Sequence, residues 1–255
     1  MNYIVSSLTD IGLTKSTNQD SHFVGVYSGQ KGKYVLAILC DGMGGLAKGE
    51  VASASVVKAY RDWANNRLPY YDANEVNISE IQIEWNDIAI QFNEKIARYA
   101  KQFGASMGTT ITIMLIFANQ FLIMNVGDTR AYEIYSEAFV LTKDQSVVAK
   151  EVELGYMTWE QAEKDYRRSV LLQCIGASDQ VVPDFYQGTV KNDAVYMLCS
   201  DGFRHEVTKD ELYAYLNPNN MLSEEQMYQN MQSLVNLNKQ RQERDNITVI
   251  TIRTC

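Results

Sequence analysis

Runs of apolar and alternating residues predict nine β-strands along this chain. They cover 3–8, 22–28, 33–40, 107–117, 120–126, 130–135, 138–142, 194–199 and 247–253, several of them separated by only two to five turn-type residues. Four of these runs follow one another between 107 and 142 with no room for a helix. We therefore expect an antiparallel meander over 107–142.

Apolar residues spaced by three or four positions predict three helices. The longest is 78–103, where the spaced residues are Ile81, Trp85, Ile88, Phe92, Ile96, Tyr99 and Phe103. The other two helices cover 49–66 and about 223–240, and a charged, mostly helical segment covers about 148–168. This order of elements predicts an α+β fold, with antiparallel sheets flanked by helices rather than βαβ units. No linker-like composition or internal repeat is present, so we expect a single domain over 1–255.

Charge and composition narrow the classes of partner. The chain has 255 residues, 31 of them acidic and 23 basic, with a net charge of −8. The field of such an acidic protein repels polyanions, so we expect neither nucleic acid nor a membrane as partner. The four cysteines form no C-x-x-C pair, no signal peptide is evident, and the longest apolar run is too short for a membrane span. These features predict a cytoplasmic protein without a disulfide framework.

Five aspartates lie at the ends of predicted strands: Asp20, Asp41, Asp128, Asp201 and Asp245. Because antiparallel strands alternate in direction, these ends can converge on one rim of a sheet. Carboxylates gathered there repel one another unless a cation neutralises them. Oxygen ligands without nearby Cys or His favour Mg²⁺ or Mn²⁺. A pair of such ions can hold a shared hydroxide and clamp a phosphoryl group.

Two other interpretations of these residues remain open. Asp-Gly and Asp-Asn are common turn signals, so each carboxylate could serve a turn alone. The segment 42–47, GMGGLA, also fits a dinucleotide-binding pattern between a strand and a helix, with Asp62 twenty residues beyond Gly42. The second interpretation predicts binding of NAD(H).

A series of motifs runs through nearly the whole chain in a fixed order. It consists of TDIGLTKSTNQDS (9–21), LAILCDGMGGLAKGEVAS (36–53), GTTITIMLI (108–116), NVGDTRAYEI (125–134), LTKDQS (141–146), LLQCIGAS (171–178), MLCSDGF (197–203) and RDNITVITI (244–252). With these motifs the sequence resembles the metal-dependent type 2C protein phosphatases, the PPM family, in their compact bacterial form. A lone DG means little, but DGMGG followed by GDTR, SDG and DN is highly specific.

The resemblance implies a four-layer α-β-β-α sandwich of two antiparallel sheets, with a two-metal site at one end. It implies that Asp41 bridges two Mn²⁺ or Mg²⁺ ions and that the Gly42 carbonyl binds the second of them. By the same resemblance, Asp201 and Asp245 hold the first ion. Asp41, Asp201 and Asp245 are thus the implied catalytic residues.

The resemblance also implies roles around this centre. Asp20 would act through metal-bound water, and Asp128 with Asp201 would hold a third, looser ion. The segment 147–168 matches a mobile flap that influences substrate choice in the family. The implied reaction is direct attack of metal-activated hydroxide on phosphoserine or phosphothreonine in proteins, without a phosphoenzyme. Such a phosphatase would oppose a Ser/Thr kinase of the same cell.

Several positions depart from the common bacterial pattern. Lys15 stands where an arginine usually grips the substrate phosphate; lysine keeps the charge but loses the planar two-pronged geometry. Leu46 and Gln145 replace frequent histidines, and Met43 stands where eukaryotic relatives place a histidine proposed as general acid. Lys15 remains the predicted phosphate-binding residue, and it keeps open the alternative of a pseudophosphatase that binds phosphoproteins.

We expect the two histidines and two of the cysteines to have structural rather than catalytic roles. We expect His22 and His205 to be packed or surface histidines without a catalytic role. Cys40 and Cys199 lie in predicted strands beside aspartates, where buried, inert thiols are expected.

Overall fold

Eleven strands in the described part of the chain form two antiparallel sheets. The computed structural model describes residues 1–44, 48–102 and 104–255. The strands are β1 (Tyr3–Asp10), β2 (Asp20–Gly29), β3 (Gly32–Gly44), β4 (Met107–Thr109), β5 (Ile111–Phe117), β6 (Gln120–Val126), β7 (Arg130–Ile134), β8 (Ala138–Val140), β9 (Asp184–Thr189), β10 (Val195–Cys199) and β11 (Ile247–Thr254). The first sheet has the order β1-β11-β10-β7-β8, and the second has the order β2-β3-β5-β6-β9 with β4 paired to β3.

Helices cover the outer faces of both sheets. The helices of the described residues are α1 (Gly49–Ala73), α2 (Ile78–Gln102), α3 (Val147–Glu153), α4 (Trp159–Lys164), α5 (Asp201–Arg204), α6 (Lys209–Leu216) and α7 (Glu224–Gln240), with a 3₁₀ turn at Pro218–Asn220. The first two helices pack on the second sheet, whereas α6 and α7 pack on the first. Over the described ranges, no helix is both long and apolar enough to cross a membrane.

Strand β3 shows why the fold has four layers. Its side chains alternate between the two faces of the strand, as in any β-strand. Tyr34, Leu36 and Ile38 pack toward α1 and α2. Val35 and Leu39 belong to the core between the two sheets. Because both faces are buried over 34–40, that stretch of the strand is apolar without interruption. The predicted α-β-β-α sandwich is confirmed.

The predicted meander over 107–142 is wrong. Strands β5 and β6 form a hairpin in the second sheet, but β7 and β8 form a hairpin in the first. The chain changes sheet through the turn at Gly127, which has a φ of +103°. A Cβ there would lie 2.6 Å from the Thr110 side chain, so only glycine permits this close crossing. Runs that are buried on both faces carry no signal of which sheet they join.

The other predicted strands and helices are present, with shifted boundaries. The run 107–117 divides into β4 and β5, and α1 continues past 66 because Leu68 and Tyr71 are buried beyond the predicted end. Pro69 is exposed within that last part of the helix. Strand β9 and helix α6 were not predicted from the pattern. The predicted end of α2 at Phe103 lies outside the described residues.

Candidate active site

Asp20 and Asp41 lie opposite each other where β2 begins and β3 approaches its end. The backbone of Asp41 is fixed by the junction of β4 and β5. Its N–H donates to Thr110 Oγ1 at 2.9 Å, and its carbonyl accepts from Thr110 N at 2.9 Å. Thr109 Oγ1 donates to the same carbonyl at 2.9 Å. These threonines were missed as supporting residues, although they stand in the quoted motif GTTITIMLI.

Gly42 marks a close approach of three backbone segments. Its N–H donates to the Gln19 carbonyl at 3.1 Å. A Cβ at this position would lie 2.4 Å from the Gly49 carbonyl oxygen and 2.5 Å from that of Gln19. No larger residue fits without moving the start of α1 or the loop before β2. The glycine after Asp41 is therefore required by packing as well as by any ligand role.

The first sheet brings its own carboxylates to the same end of the sandwich. Asp201 begins α5 two residues after the end of β10, and Asp245 precedes β11, the neighbour of β10. Thr248 Oγ1 donates to Asp20 Oδ2 at 2.6 Å, which ties the two sheets together at this point. Strand ends from both sheets thus meet at one rim, as the sequence indicated.

The electrostatics of this rim favour a cation. Burial, with contributions from the charges of Asp201 and Asp245, raises the pKa of Asp20 to about 7. Burial and the charge of Asp20 raise the pKa of Asp41 well above its ordinary value. Asp20 Oδ1 and Asp201 Oδ1 are buried and accept no hydrogen bond. Unpaired buried carboxylate oxygens are costly unless a positive charge compensates them.

Lys15 supplies one positive charge at the exposed side of this rim. Its Nζ lies 2.7 Å from Asp245 Oδ1, and 39% of its side chain is exposed. Burial alone would lower the pKa of Lys15. The hydrogen bond to Asp245 and the charges of Asp41 and Asp201 outweigh burial, so the pKa is raised. An ammonium group is therefore attracted to the same carboxylates that the sequence assigns to metal ions.

The donor set fits hard divalent ions. Within residues 1–44, 48–102 and 104–255, no three Asp, Glu, His or Cys side chains are already gathered as metal ligands. The carboxylates nevertheless lie near enough to raise one another's pKa, and mutual repulsion opposes any closer approach without a cation. Oxygen donors, two of them buried and unpaired, are the ligands that Mg²⁺ and Mn²⁺ prefer.

Asn246 holds the Lys15 loop against the site. Its Oδ1 accepts from Gln19 N at 2.8 Å, and its Nδ2 donates to the Ile11 carbonyl at 2.9 Å. Its own N–H donates to Asp245 Oδ1 at 2.8 Å. Asp245 is therefore a candidate metal ligand, and the neighbouring Asn246 holds the loop that precedes β2 by hydrogen bonds.

Asp128 lies in the β6–β7 turn within a network of buried charges. Arg204 Nη2 donates to the Asp128 carbonyl at 3.0 Å and lies 3.7 Å from Asp128 Oδ2. The same atom donates to Asp144 Oδ2 at 3.1 Å, and Arg130 binds both oxygens of Asp144 at 2.7 and 2.8 Å. Burial raises the pKa of Asp128 to about 7, although Arg204 opposes this shift. The sequence interpretation missed both arginines.

Gln145 fastens the turn that carries Asp128. Its Oε1 accepts from Gly127 N at 2.8 Å, and its Nε2 donates to Asp184 Oδ2 at 2.8 Å. Met43 is 39% exposed and lines a cavity of about 710 Å³. The rest of that cavity is lined by 169–174 and 177–180. Leu46, the other departure from the bacterial pattern, lies outside the described residues.

The histidines and cysteines lie largely as expected. His22 Nε2 contacts Ser7 Oγ at 3.1 Å, between the edge strands β2 and β1. His205 is only 10% exposed at its side chain, and its Nε2 lies 3.6 Å from Asp201 Oδ2, so it borders the site more closely than the sequence indicated. Cys40 and Cys199 are fully buried, and burial raises the pKa of both thiols.

The predicted flap consists of α3, α4 and the segment that returns to the sheet. Arg167 closes it by binding both oxygens of Glu151 at 2.8 Å each and Asp165 at 2.9 Å. Val147 N donates to the Val170 carbonyl at 2.9 Å at its base. The segment is therefore held together internally, and its role in substrate choice stays a prediction.

Carboxylates from two packed antiparallel sheets, meeting at one end of an α-β-β-α sandwich, are typical of metal-dependent phosphatases. The chain belongs to the protein phosphatase 2C family: the family's sequence profile, described as protein phosphatase 2C, matches residues 14–246. This is the family of metal-dependent serine/threonine protein phosphatases that the motifs resemble. The dinucleotide interpretation is wrong, because β3, which carries Gly42 and Gly44, pairs antiparallel with its neighbours and is not part of a βαβ unit. Residues 45–47 of that pattern lie outside the described residues.

Individual relatives agree with this assignment. The chain is 30% identical over 211 residues to the protein phosphatase PhpP of Streptococcus pneumoniae, covering 82% of each chain. A serine/threonine phosphatase of S. agalactiae superposes with a TM-score of 0.85 at 29% identity over the full length of both chains. The catalytic domain of the phosphatase PstP, described in complex with 2 manganese ions, superposes with a TM-score of 0.74 at 25% identity over 99% of each chain.

Proposed function

We propose that this chain hydrolyses phosphoserine and phosphothreonine in proteins with two Mn²⁺ or Mg²⁺ ions. The proposed ligands are Asp20, Asp41, Gly42, Asp201 and Asp245. The observation that carries the proposal is the convergence of buried, mutually repelling carboxylates with two unpaired oxygens at one rim. The two manganese ions of the related PstP domain support the number of ions.

Bound divalent ions would activate a water for attack on phosphorus and neutralise the phosphoryl oxygens. The protein's own part is to hold the carboxylates in place through Thr110, Thr248 and Asn246. Lys15, at the exposed side of the rim, is placed to attract the phosphate dianion. The thiols of Cys40 and Cys199 are buried and protonated, so neither serves as a nucleophile. This supports direct hydrolysis without a phosphoenzyme.

The cavity beside Met43 is the proposed place for side chains that flank the phosphorylated residue. It continues from the strand that carries Asp41 to the base of the flap. Phosphorylated proteins are the proposed substrates, and a Ser/Thr kinase is the proposed source of their phosphate. The proposed setting is the cytoplasm, in keeping with four free cysteines. The pseudophosphatase alternative is not favoured, because every proposed carboxylate ligand is present.

The test is phosphate release from a phosphothreonine peptide by the full chain, first with chelator and then with Mn²⁺ or Mg²⁺. We expect release only with metal, and a loss of at least about a hundredfold in Asp201→Asn, since electrostatic stabilisation of the transition state contributes that much. The matched control is Asp62→Asn, on the outer helix α1, which should retain wild-type turnover. Near-normal release by a folded Asp201→Asn variant would contradict the proposal.

A further inference from the structure

Four charged side chains around the β6–β7 turn form a network without net charge. The carboxylates are Asp128 and Asp144, each with a side chain 6% exposed. The guanidinium groups are Arg130 and Arg204, with side chains 18% and 11% exposed. Buried charges of this kind are tolerated when each has a partner of opposite sign. Here two positive groups balance two negative groups.

The contacts show which guanidinium pairs with which carboxylate. Arg130 binds both oxygens of Asp144, at 2.7 and 2.8 Å, which is the strongest geometry for such a pair. Arg204 is therefore the guanidinium that remains to pair with Asp128. Its Nη2 donates to the Asp128 carbonyl at 3.0 Å and lies 3.7 Å from Asp128 Oδ2. A guanidinium stays protonated in proteins, so this positive charge is permanent.

Asp128 differs in this respect from Asp245 at the other side of the rim. The partner of Asp245 is Lys15, a flexible side chain that is 39% exposed and can turn toward solvent. Arg204 is largely buried and is held by three contacts to Asp128 and Asp144, so its movement would leave Asp128 without this guanidinium partner. We therefore expect a divalent ion to displace Lys15 more readily than Arg204.

We propose that Arg204 is the fixed counter-ion of Asp128 and keeps a divalent ion from binding between Asp128 and Asp201. The inference rests on the proposed two-ion function and departs from the third ion that the resemblance implies. A divalent ion between Asp128 and Asp201 would lie close to a permanent positive charge that already pairs with one of its ligands. His205, 3.6 Å from Asp201 Oδ2, occupies part of the remaining space around the other ligand. Arg204 is thus a positioning residue for the turn.

The experiment counts Mn²⁺ ions bound to the full chain, using the electron paramagnetic resonance signal of free Mn²⁺ during titration. The wild type and Arg204→Lys, which keeps the charge, should bind two ions. Arg204→Met should bind a third ion at least about tenfold more tightly than any further ion on the wild type, because a like charge within a few ångströms changes affinity by that much. The double variant Arg204→Met/Asp128→Asn should return to two ions. Arg168→Met is the control, at a partly exposed arginine whose guanidinium donates to the Glu163 carbonyl.

A third ion on the wild type that is lost in Asp128→Asn and unaffected by Arg204→Met would overturn the inference. If Arg204→Met fails to fold by circular dichroism, Asp128→Asn alone decides. An unchanged count of two ions then supports the counter-ion role, and loss of an ion overturns it. Binding of no Mn²⁺ by the folded wild type would instead overturn the two-ion function from which the inference starts.

Discussion

At the scale of single residues, Lys15 pairs with a carboxylate of the site and is also the predicted phosphate-binding residue. Its ammonium lies 2.7 Å from Asp245 Oδ1, and 39% of the side chain faces solvent. It can therefore leave the carboxylate for an incoming phosphate. Lysine offers a phosphate one point charge, whereas arginine offers two parallel donors. The position is thus a place where a small substitution should change substrate affinity.

Lys15→Arg should lower the KM for a phosphothreonine peptide, because a guanidinium binds two phosphate oxygens at once. Lys15→Met should raise the KM by about tenfold, the usual loss when one charged hydrogen bond is removed, with a smaller change in kcat. Steady-state kinetics at saturating Mn²⁺ measures both values. Lys33→Met, which loses only a surface hydrogen bond to Asn2, is the control. An unchanged or raised KM in Lys15→Arg would place Lys15 outside the phosphate site.

The candidate ligands could be predicted because Asp-Gly and Asp-Asn at strand ends are visible in the sequence. The residues that hold these ligands in place could not be predicted. Thr110 and Arg204 act on Asp41 and Asp128 from positions 69 and 76 residues away along the chain. Contacts of that separation depend on which strands become neighbours, and the local pattern of residues does not reveal the pairing of strands.

At the scale of elements, the start of α6 illustrates how local signals and distant partners combine. Thr208 and Glu211 form a capping box at this end of the helix. Glu211 also binds Arg241 at the end of α7 through both carboxylate oxygens, at 2.6 and 2.8 Å. The T-x-x-E pattern of the cap was readable in the sequence and would have predicted α6. The pairing of Glu211 with Arg241 could not be read from the sequence.

Glu211 should make part of the free energy of unfolding depend on pH in the acidic range. Its hydrogen bond to Arg241 lowers the pKa of Glu211 to about 2, below its value in the unfolded chain of about 4.3. The stabilisation is therefore present above about pH 4.3 and is lost as the pH falls toward 2. Glu211→Gln keeps the capping box but removes the charge. It should cost about 1 kcal/mol at pH 7 and nothing near pH 2.

Urea unfolding of both proteins at several pH values measures this difference. Glu163→Gln, an exposed glutamate on α4, should match the wild type throughout. A difference between Glu211→Gln and the wild type that stays constant from pH 7 to pH 2 would show that the ion pair does not contribute.

At the scale of the whole molecule, the two sheets share a core. Val35, Ala37 and Leu39 of β3 lie in the same cluster as Leu198 of β10 and Ile250 of β11. Neither sheet can bury this face without the other. The antiparallel sandwich with outer helices could be predicted from the order of elements. The assignment of strands to sheets could not, because buried strands of both sheets have the same apolar composition.

Ile250→Ala should destabilise the protein by about 2–4 kcal/mol, because it leaves a cavity between the sheets. Unfolding should remain a single transition if 1–255 is one domain. Far-UV circular dichroism would then coincide with the fluorescence of Trp63 and Trp85, which pack on the opposite side of the second sheet. Ile83→Ala, at a side chain 62% exposed, should change stability by less than about 0.5 kcal/mol. Two separate transitions would contradict the single domain.

The position of β11 also has a consequence for synthesis. This strand lies between β1 and β10 and begins two residues after Asp245, and the hydroxyl of its Thr248 donates to Asp20. The first and last strands in chain order are therefore neighbours, and the carboxylate rim draws on both. A nascent chain on the ribosome has β1 and β2 long before β11 emerges. Phosphatase activity should thus be withheld during translation until β11 has left the exit tunnel and entered its sheet.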